Sequence, residues 1–324
     1  MSVLTNNEFI FIIGSTRSGT TWLQSILADH PLIVSTVELT FFTAYIDPWI
    51  KAWELECEPI KTGKWVKGLP HLFNEEEFYS YLIKFLEMGY QKVKNKKPNA
   101  TYILDKNPYN ALYVDRIHQF LPNSRFIHII RDGRDVVCSM RNVKKNVGFS
   151  TNNIKKGAEH WKKMVNSAIK ASKFHDQYYE VRYEELLLDG YQILKRIFDF
   201  CGITITEKEI INLYDSHKFE IMKQNSLIPD PSIKIRVPGF YHKGKIGTWK
   251  EELSPQEQRI FYNIAGELLE NLGYIESGLY YQFQRSYHKS LAFSSIKKRI
   301  KYLLWAILGE QFTQDMYKTI IKHF

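Results

Sequence analysis

Cysteine is scarce in this sequence: 324 residues hold three, Cys57, Cys138 and Cys201. They lie far apart and show no metal-type spacing. That excludes a disulfide framework and a cysteine metal site, and leaves small apolar thiols of the kind found in a reduced, cytoplasmic protein. Long apolar runs are also absent. None approaches the roughly 18 apolar residues that a membrane-spanning helix needs. The first residues pass from Thr5-Asn6-Asn7 straight into a strand-like run, without the build of a signal peptide or membrane anchor. There is no internal repeat and no low-complexity segment. What the chain has in quantity is aromatic: 20 Tyr, 20 Phe and 7 Trp, enough for a large core and an aromatic-lined pocket. With 44% hydrophobic and 24% charged residues it has the composition of an ordinary globular protein. Its length fits one large α/β domain or a domain with an appendage.

Net charge is +9 and unevenly spread. Residues 286–324 carry seven basic and two acidic side chains, more than half of the surplus. The remainder is only mildly basic, which suits a small anionic ligand and gives no sign of a nucleic-acid partner.

Short apolar runs at 8–13, 32–35, 101–104, 125–130 and 178–182 read as buried strands. Helical patterns fall at 19–29, 75–94, 109–120, 133–145, 157–175, 190–201 and 254–271. This alternation predicts a central parallel sheet flanked by helices. Residues 39–73 show no clean period and are expected to form an irregular excursion. Residues 217–250, rich in Pro and Gly, read as loop. Segments 39–73, 146–156 and 217–242 are the expected walls of an acceptor pocket.

The most informative stretch is Phe9 to Trp22, FIFIIGSTRSGTTW. A strand, a glycine-bounded loop and a helix start together aim backbone N–H groups and a helix dipole at an anion. Gly14 and Gly19 have P-loop spacing, but Thr20 stands where the P-loop lysine belongs. That lysine serves the β- and γ-phosphates of a triphosphate. Its absence, with Arg17 inside the loop, points to a smaller phosphate-like group. The hydroxyls of Thr20 and Thr21 have two readings, helix caps or donors to an anion. A second candidate site ends the strand at 125–130: Arg131-Asp132-Gly133-Arg134-Asp135, with Ser139 on the following helix. Arg131 offers a rigid fork of donors suited to phosphate. The alternative is a set of Arg–Asp ion pairs capping that helix.

Together these segments resemble the superfamily of sulfotransferases that use 3′-phosphoadenosine 5′-phosphosulfate (PAPS). Thr16-Arg17-Ser18-Gly19-Thr20-Thr21-Trp22 is similar to its 5′-phosphosulfate signature. Arg131 followed by Ser139 eight residues on is similar to its 3′-phosphate signature. More loosely, the likeness extends over residues 8–275. It implies a P-loop-like three-layer fold, PAPS as donor, adenosine 3′,5′-bisphosphate (PAP) as product, and no metal. Val181-Arg182-Tyr183-Glu184-Glu185-Leu186 resembles a stretch that would place Tyr183 near the nucleotide, with core filling as the alternative. Lys243-Gly244-Lys245-Ile246-Gly247-Thr248-Trp249-Lys250 resembles the loop that closes on the 3′-phosphate. There His242 stands where the family has Arg, leaving Lys243 and Gly244 as candidates.

The same resemblance implies the chemistry. Glu38, 21 residues after Arg17 and followed by Phe41-Phe42, matches the glutamate base of the carbohydrate and tyrosylprotein branches. Its apolar neighbours predict desolvation of the carboxylate; the plainer reading is a surface carboxylate. Lys106, in Leu104-Asp105-Lys106-Asn107-Pro108, matches the lysine that contacts the bridging oxygen or sulfonate, against an ordinary surface lysine. No histidine occupies the place where the aryl and steroid branch keeps its base. Expected acceptors are hydroxyls or amines of a carbohydrate, lipid-linked or other small molecule.

Two other functions stay open at this level: a P-loop-type nucleotide-dependent small-molecule kinase, and a non-catalytic nucleotide-binding protein. Residues 1–285 are expected to form the catalytic domain and 286–324 a helical extension. Within the extension, Ile296, Ile300, Leu303, Leu304, Ile307 and Leu308 recur at helical spacing among Lys297, Lys298, Arg299 and Lys301. That basic amphipathic pattern suits either a helix docked on protein or peripheral contact with a membrane.

Overall fold

A computed structural model describes Leu4 and residues 8–63, 68–148, 150–222, 244–278 and 280. All five expected strands form: β1 Glu8–Gly14, β2 Ile33–Ser35, β3 Tyr102–Lys106, β4 Arg125–Ile130 and β5 Tyr178–Arg182. They make one parallel sheet in the order β2-β3-β1-β4-β5. Near-continuous apolar runs such as Phe9–Ile13 suit strands covered on both faces, and each of those five side chains is buried.

Alternation along β1 divides the core. Phe9, Phe11 and Ile13 pack with α2 (Asp47–Lys61), α3 (Glu75–Lys94), α4 (Val114–Phe120) and residues of α6 (Ile154–Ile169). Ile10 and Ile12 pack on the other face with α1 (Thr20–Ala28), α7 (Tyr183–Leu188), α8 (Gly190–Cys201) and α9 (Glu207–Ser216). Helix, sheet, helix is the expected three-layer α/β arrangement. Helix α5 (Gly133–Val147) follows β4, and α10 (Phe219–Met222), α11 (Trp249–Glu252) and α12 (Pro255–Asn271) complete the described α-helices.

The largest departures from the sequence reading are two, beside the short helices α7 and α10, which were not expected either. Residues 39–73 are largely helical: a π-helical turn at Phe41–Ile46 runs into α2. The period is there, with Ile46, Ile50 and Trp53 buried, but Pro48 and Pro59 disguise it. Pro48 sits in the first turn, where its missing N–H is harmless. Helix α9 was likewise not expected; Thr206 and Glu209 start it with a capping box. Residues 223–243 and 281–324, including Lys243 and the amphipathic stretch 296–308, lie outside the described residues. The chain divides into units 1–264 and 265–324; the sheet and the clefts at its carboxyl edge belong to the first. Among the described residues no helix is long and apolar enough to cross a membrane.

The end of β3 shows how neighbouring strand residues take opposite roles. Lys106 turns to the α1 side, while Asp105 is buried on the α3 side, accepting from Tyr90 Oη at 2.8 Å and Asn110 Nδ2 at 3.3 Å. Burial pushes the Asp105 carboxyl up to about 7, against those hydrogen bonds and the Lys106 charge. Folding therefore tightens its proton relative to an unfolded carboxyl near pH 4 (roughly,). The stabilising contribution is complete below that pH and is lost as pH rises toward 7. Asp105→Asn should accordingly gain on the parent in Tm between pH 5 and pH 8. A Tm difference that stays constant across that range would remove Asp105 as the titrating group.

Candidate active site

Each strand ends, at its carboxyl edge, in a segment that carries a candidate residue. Open α/β sheets bind ligands at this edge, beside the point where the chain reverses its direction of winding. Here that point is β1, which has β3 on one side and β4 on the other.

After β1 the chain must turn sharply. Gly14 has φ +144°, and a Cβ there would meet the Ile129 carbonyl oxygen at 2.5 Å, so the strand exit demands glycine. Arg17 has φ +71°, the left-handed region that non-glycine residues rarely enter. Gly19, at φ +99°, occupies the N-cap of α1. No side chain caps that helix, so the capping reading of Thr20 and Thr21 is not what forms. Instead the Thr21 hydroxyl accepts from Lys106 Nζ at 3.3 Å. Ser18 is buried, and its hydroxyl has no hydrogen-bond partner among the described residues.

Arg131 follows β4 and is buried. Its Nη1 donates to the Arg17 carbonyl (3.3 Å) and its Nη2 to the Lys245 carbonyl (3.1 Å). The guanidinium lies 4.2 Å from the centroid of Tyr183, the first residue after β5. Its Nε is buried without a hydrogen-bond partner among the described residues. Two orphaned donors, Ser18 Oγ and Arg131 Nε, are what a site for an oxyanion would leave. Arg17 Nε donates to Ser139 Oγ at 3.2 Å, joining the first loop to α5. The ion pair capping α5 forms between Arg134 and Asp132, at 2.7 Å, while Asp135 faces elsewhere.

These residues enclose a solvent-open cleft of about 590 Å³. Arg17, Gly19, Thr20, Thr21, Trp22, Arg131, Ser139, Tyr183 and Gly244 line it, joined by Leu187 and Phe219. Nine residues singled out in the sequence thus share one cavity; Leu187 and Phe219 had no motif to announce them. Trp22 is held by its indole N–H, which donates to the His217 carbonyl at 2.7 Å.

A second, larger cleft of about 1250 Å³ opens on the other side of the same loop. It shares Arg17, Thr20 and Thr21 with the first and adds Thr16, Glu38, Tyr109, Lys156 and His160. Of the expected pocket segments, 146–156 contributes Ser150, Thr151 and Lys156 to this cleft, 217–242 contributes Phe219 to the first, and no described residue of 39–73 lines either. His160 was not expected. Its Nε2 is 3.0 Å from Thr16 Oγ1, and burial, then the Lys163 charge, lowers its pKa below the usual histidine range.

Glu38 and Lys106 meet at this cleft as a close ion pair. The Lys106 side chain is 4% exposed and that of Glu38 is 52% exposed. The expected desolvation of Glu38 is therefore absent: it stands at the surface and turns toward an ammonium, not into apolar neighbours. The buried partner is Lys106. Burial lowers its pKa from the usual lysine range, with the Glu38 charge acting the other way.

A family model described as "Sulfotransferase family" matches residues 9–207, which include the glycine loop, Glu38, Lys106, Arg131, Ser139 and Tyr183. The chain belongs to the sulfotransferase family. An uncharacterised protein of Aquifex aeolicus is 26% identical to this sulfotransferase-family chain over 258 residues, 74% of the chain and 30% of that protein. Protein-tyrosine sulfotransferase 2 of Gallus gallus is 26% identical over 206 residues, 60% of the chain and 51% of that protein. The chain therefore aligns with only part of the length of these relatives. Among solved structures, mouse sulfotransferase SULT7A1 complexed with PAP superposes with a TM-score of 0.54 at 18% identity, covering 87% of this chain and 91% of that one. At that identity the likeness is one of fold, and it agrees with the three-layer sulfotransferase architecture described above.

Proposed function

We propose that this protein transfers the sulfonyl group of PAPS to a hydroxyl or amine acceptor by in-line displacement. The observation that carries the reading is that two clefts meet at Arg17, Thr20 and Thr21. A group held at that junction is reachable from both sides.

In this reading the first cleft takes the donor. Ser18, Gly19, Thr20 and Thr21 surround the 5′-phosphosulfate, Arg131 and Ser139 take the 3′-phosphate, and Tyr183 and Trp22 flank the nucleotide. Gly244, and Lys243 by its place in the motif, complete the 3′-phosphate end. The acceptor enters the second cleft. Its oxygen or nitrogen attacks sulfur while Glu38 removes the proton. The bond from sulfur to the bridging phosphate oxygen breaks, and the electron pair leaves on PAP. Lys106 supplies a hydrogen bond to that oxygen, and Arg17 and the loop N–H groups stabilise charge growing on the equatorial oxygens. Because Lys106 is paired with Glu38 in the protein alone, its turn toward the bridging oxygen also frees the carboxylate to act as base.

Carbohydrate hydroxyls remain the first acceptors to test. Similarity to protein-tyrosine sulfotransferase 2 adds the tyrosine hydroxyl of a peptide to the panel. PAP at 100 times its Kd should raise stability by about 2.7 kcal/mol, read as a Tm increase of several degrees, and ATP-Mg should not. No shift with PAP, or a shift with ATP-Mg alone, would sink the proposal.

A further inference from the structure

Asp135 stands in the first turn of α5 and is 1% exposed. Among the described residues it forms no ion pair, yet its carboxylate is fully occupied. Oδ2 accepts from the Gly247 N–H at 2.7 Å, and Oδ1 accepts from the Thr248 hydroxyl at 3.0 Å and the Trp249 N–H at 2.9 Å. A buried carboxylate satisfied by consecutive donors of one segment fixes that segment's path, because each donor would be stranded without it. The neighbouring Arg134 adds a second hold, its guanidinium 3.7 Å over the Trp249 ring. Two residues upstream of Gly247, the Lys245 carbonyl accepts from Arg131, and Gly244 lines the donor cleft.

We infer that Asp135 is a positioning residue: it pins residues 247–249 so that Gly244 and Lys245 stay beside Arg131, closing the cleft where a 3′-phosphate would sit. This rests on the reading of that cleft as a PAP site. The turn 131–135 then does two jobs. Arg131 meets the ligand, and Asp135, one helical turn on, holds the wall opposite. Gly247, at φ +75°, is the bend whose amide the carboxylate grips.

The effect should be specific to ligands that reach that wall. PAP carries the 3′-phosphate and adenosine 5′-monophosphate lacks it, so calorimetric titration of both separates positioning from general damage. Asp135→Ala should weaken PAP roughly tenfold or more while changing the monophosphate less than about threefold. Asp135→Asn keeps one acceptor oxygen and should recover part of the loss. Thr248→Val, which deletes one donor and leaves the carboxylate, should fall between the parent and Asp135→Ala; it serves equally if that variant fails to fold. Equal weakening of both ligands, or unchanged PAP affinity in all three variants, would overturn the inference. Failure of the unmodified protein to bind PAP would instead overturn the proposed function.

Discussion

Glu38→Gln is expected to slow sulfonyl transfer by about two to four orders of magnitude, the usual contribution of a positioned general base, and to leave PAP affinity unchanged. Glutamine is the informative replacement because of the environment of Lys106. That ammonium is buried, with Glu38 and Thr21 as its hydrogen-bond partners. Alanine would leave a buried cation with a hydroxyl alone, a cost of several kcal/mol (order of magnitude,) that would blur any catalytic deficit. The amide oxygen of glutamine still accepts the hydrogen bond but cannot take the proton. Single-turnover rates with labelled donor, beside PAP titrations, read the two effects apart. Full activity in Glu38→Gln would remove Glu38 as base and direct attention to His160, the other proton acceptor lining that cleft.

Arg131→Ala should raise the Kd for PAP by about a hundredfold or more, the range for losing a bidentate, charge-assisted contact and stranding the groups around it. Few side chains here join as many parts of the site. Arg131 bonds the carbonyls of Arg17 and Lys245 and packs on Tyr183. Arg131→Lys keeps the charge without the planar fork, and most of the affinity should still be lost. Calorimetric titration with PAP checks both variants. A lysine variant that binds like the parent would mean that charge alone is used, and that the fork matters only for holding the two carbonyls.

The sheet was readable because its central strand, β1, is buried on both faces and appears as an unbroken apolar run, with helical patterns between the strands; at the edge, β5 has only Val181 buried and shows a weaker signal. The first cleft was readable because backbone geometry forces particular residues into particular places. Gly14 has no room for a Cβ, and Arg131 ends a strand beside it. The other side of the site was harder. His160 sits mid-helix among ordinary amphipathic residues, and only the packing of α6 brings it to Thr16. Asp135 looked like one more charge in an Arg–Asp run; its partners lie more than a hundred residues away. Glu38 lines the second cleft, but its surroundings differ from those its sequence neighbours suggest. Apolar neighbours in sequence, Leu39, Phe41 and Phe42, turn into the core or against it, and the carboxylate is left at the surface with Lys106.

The central place of β1 has a consequence for how the molecule is made. It emerges before the other strands, yet pairs with residues near 102–106 and 125–129. During synthesis, the most apolar strand therefore waits for about a hundred further residues before it meets a hydrogen-bonding neighbour. Such long sequence separation slows folding and exposes sticky edges on the way. The loop that follows β1 leans on β4, whose Ile129 carbonyl fills the space beside Gly14. The nucleotide site proposed for the first cleft draws on the ends of β1, β4 and β5, so binding there would require a completed sheet, and PAP present during refolding should selectively retain such chains.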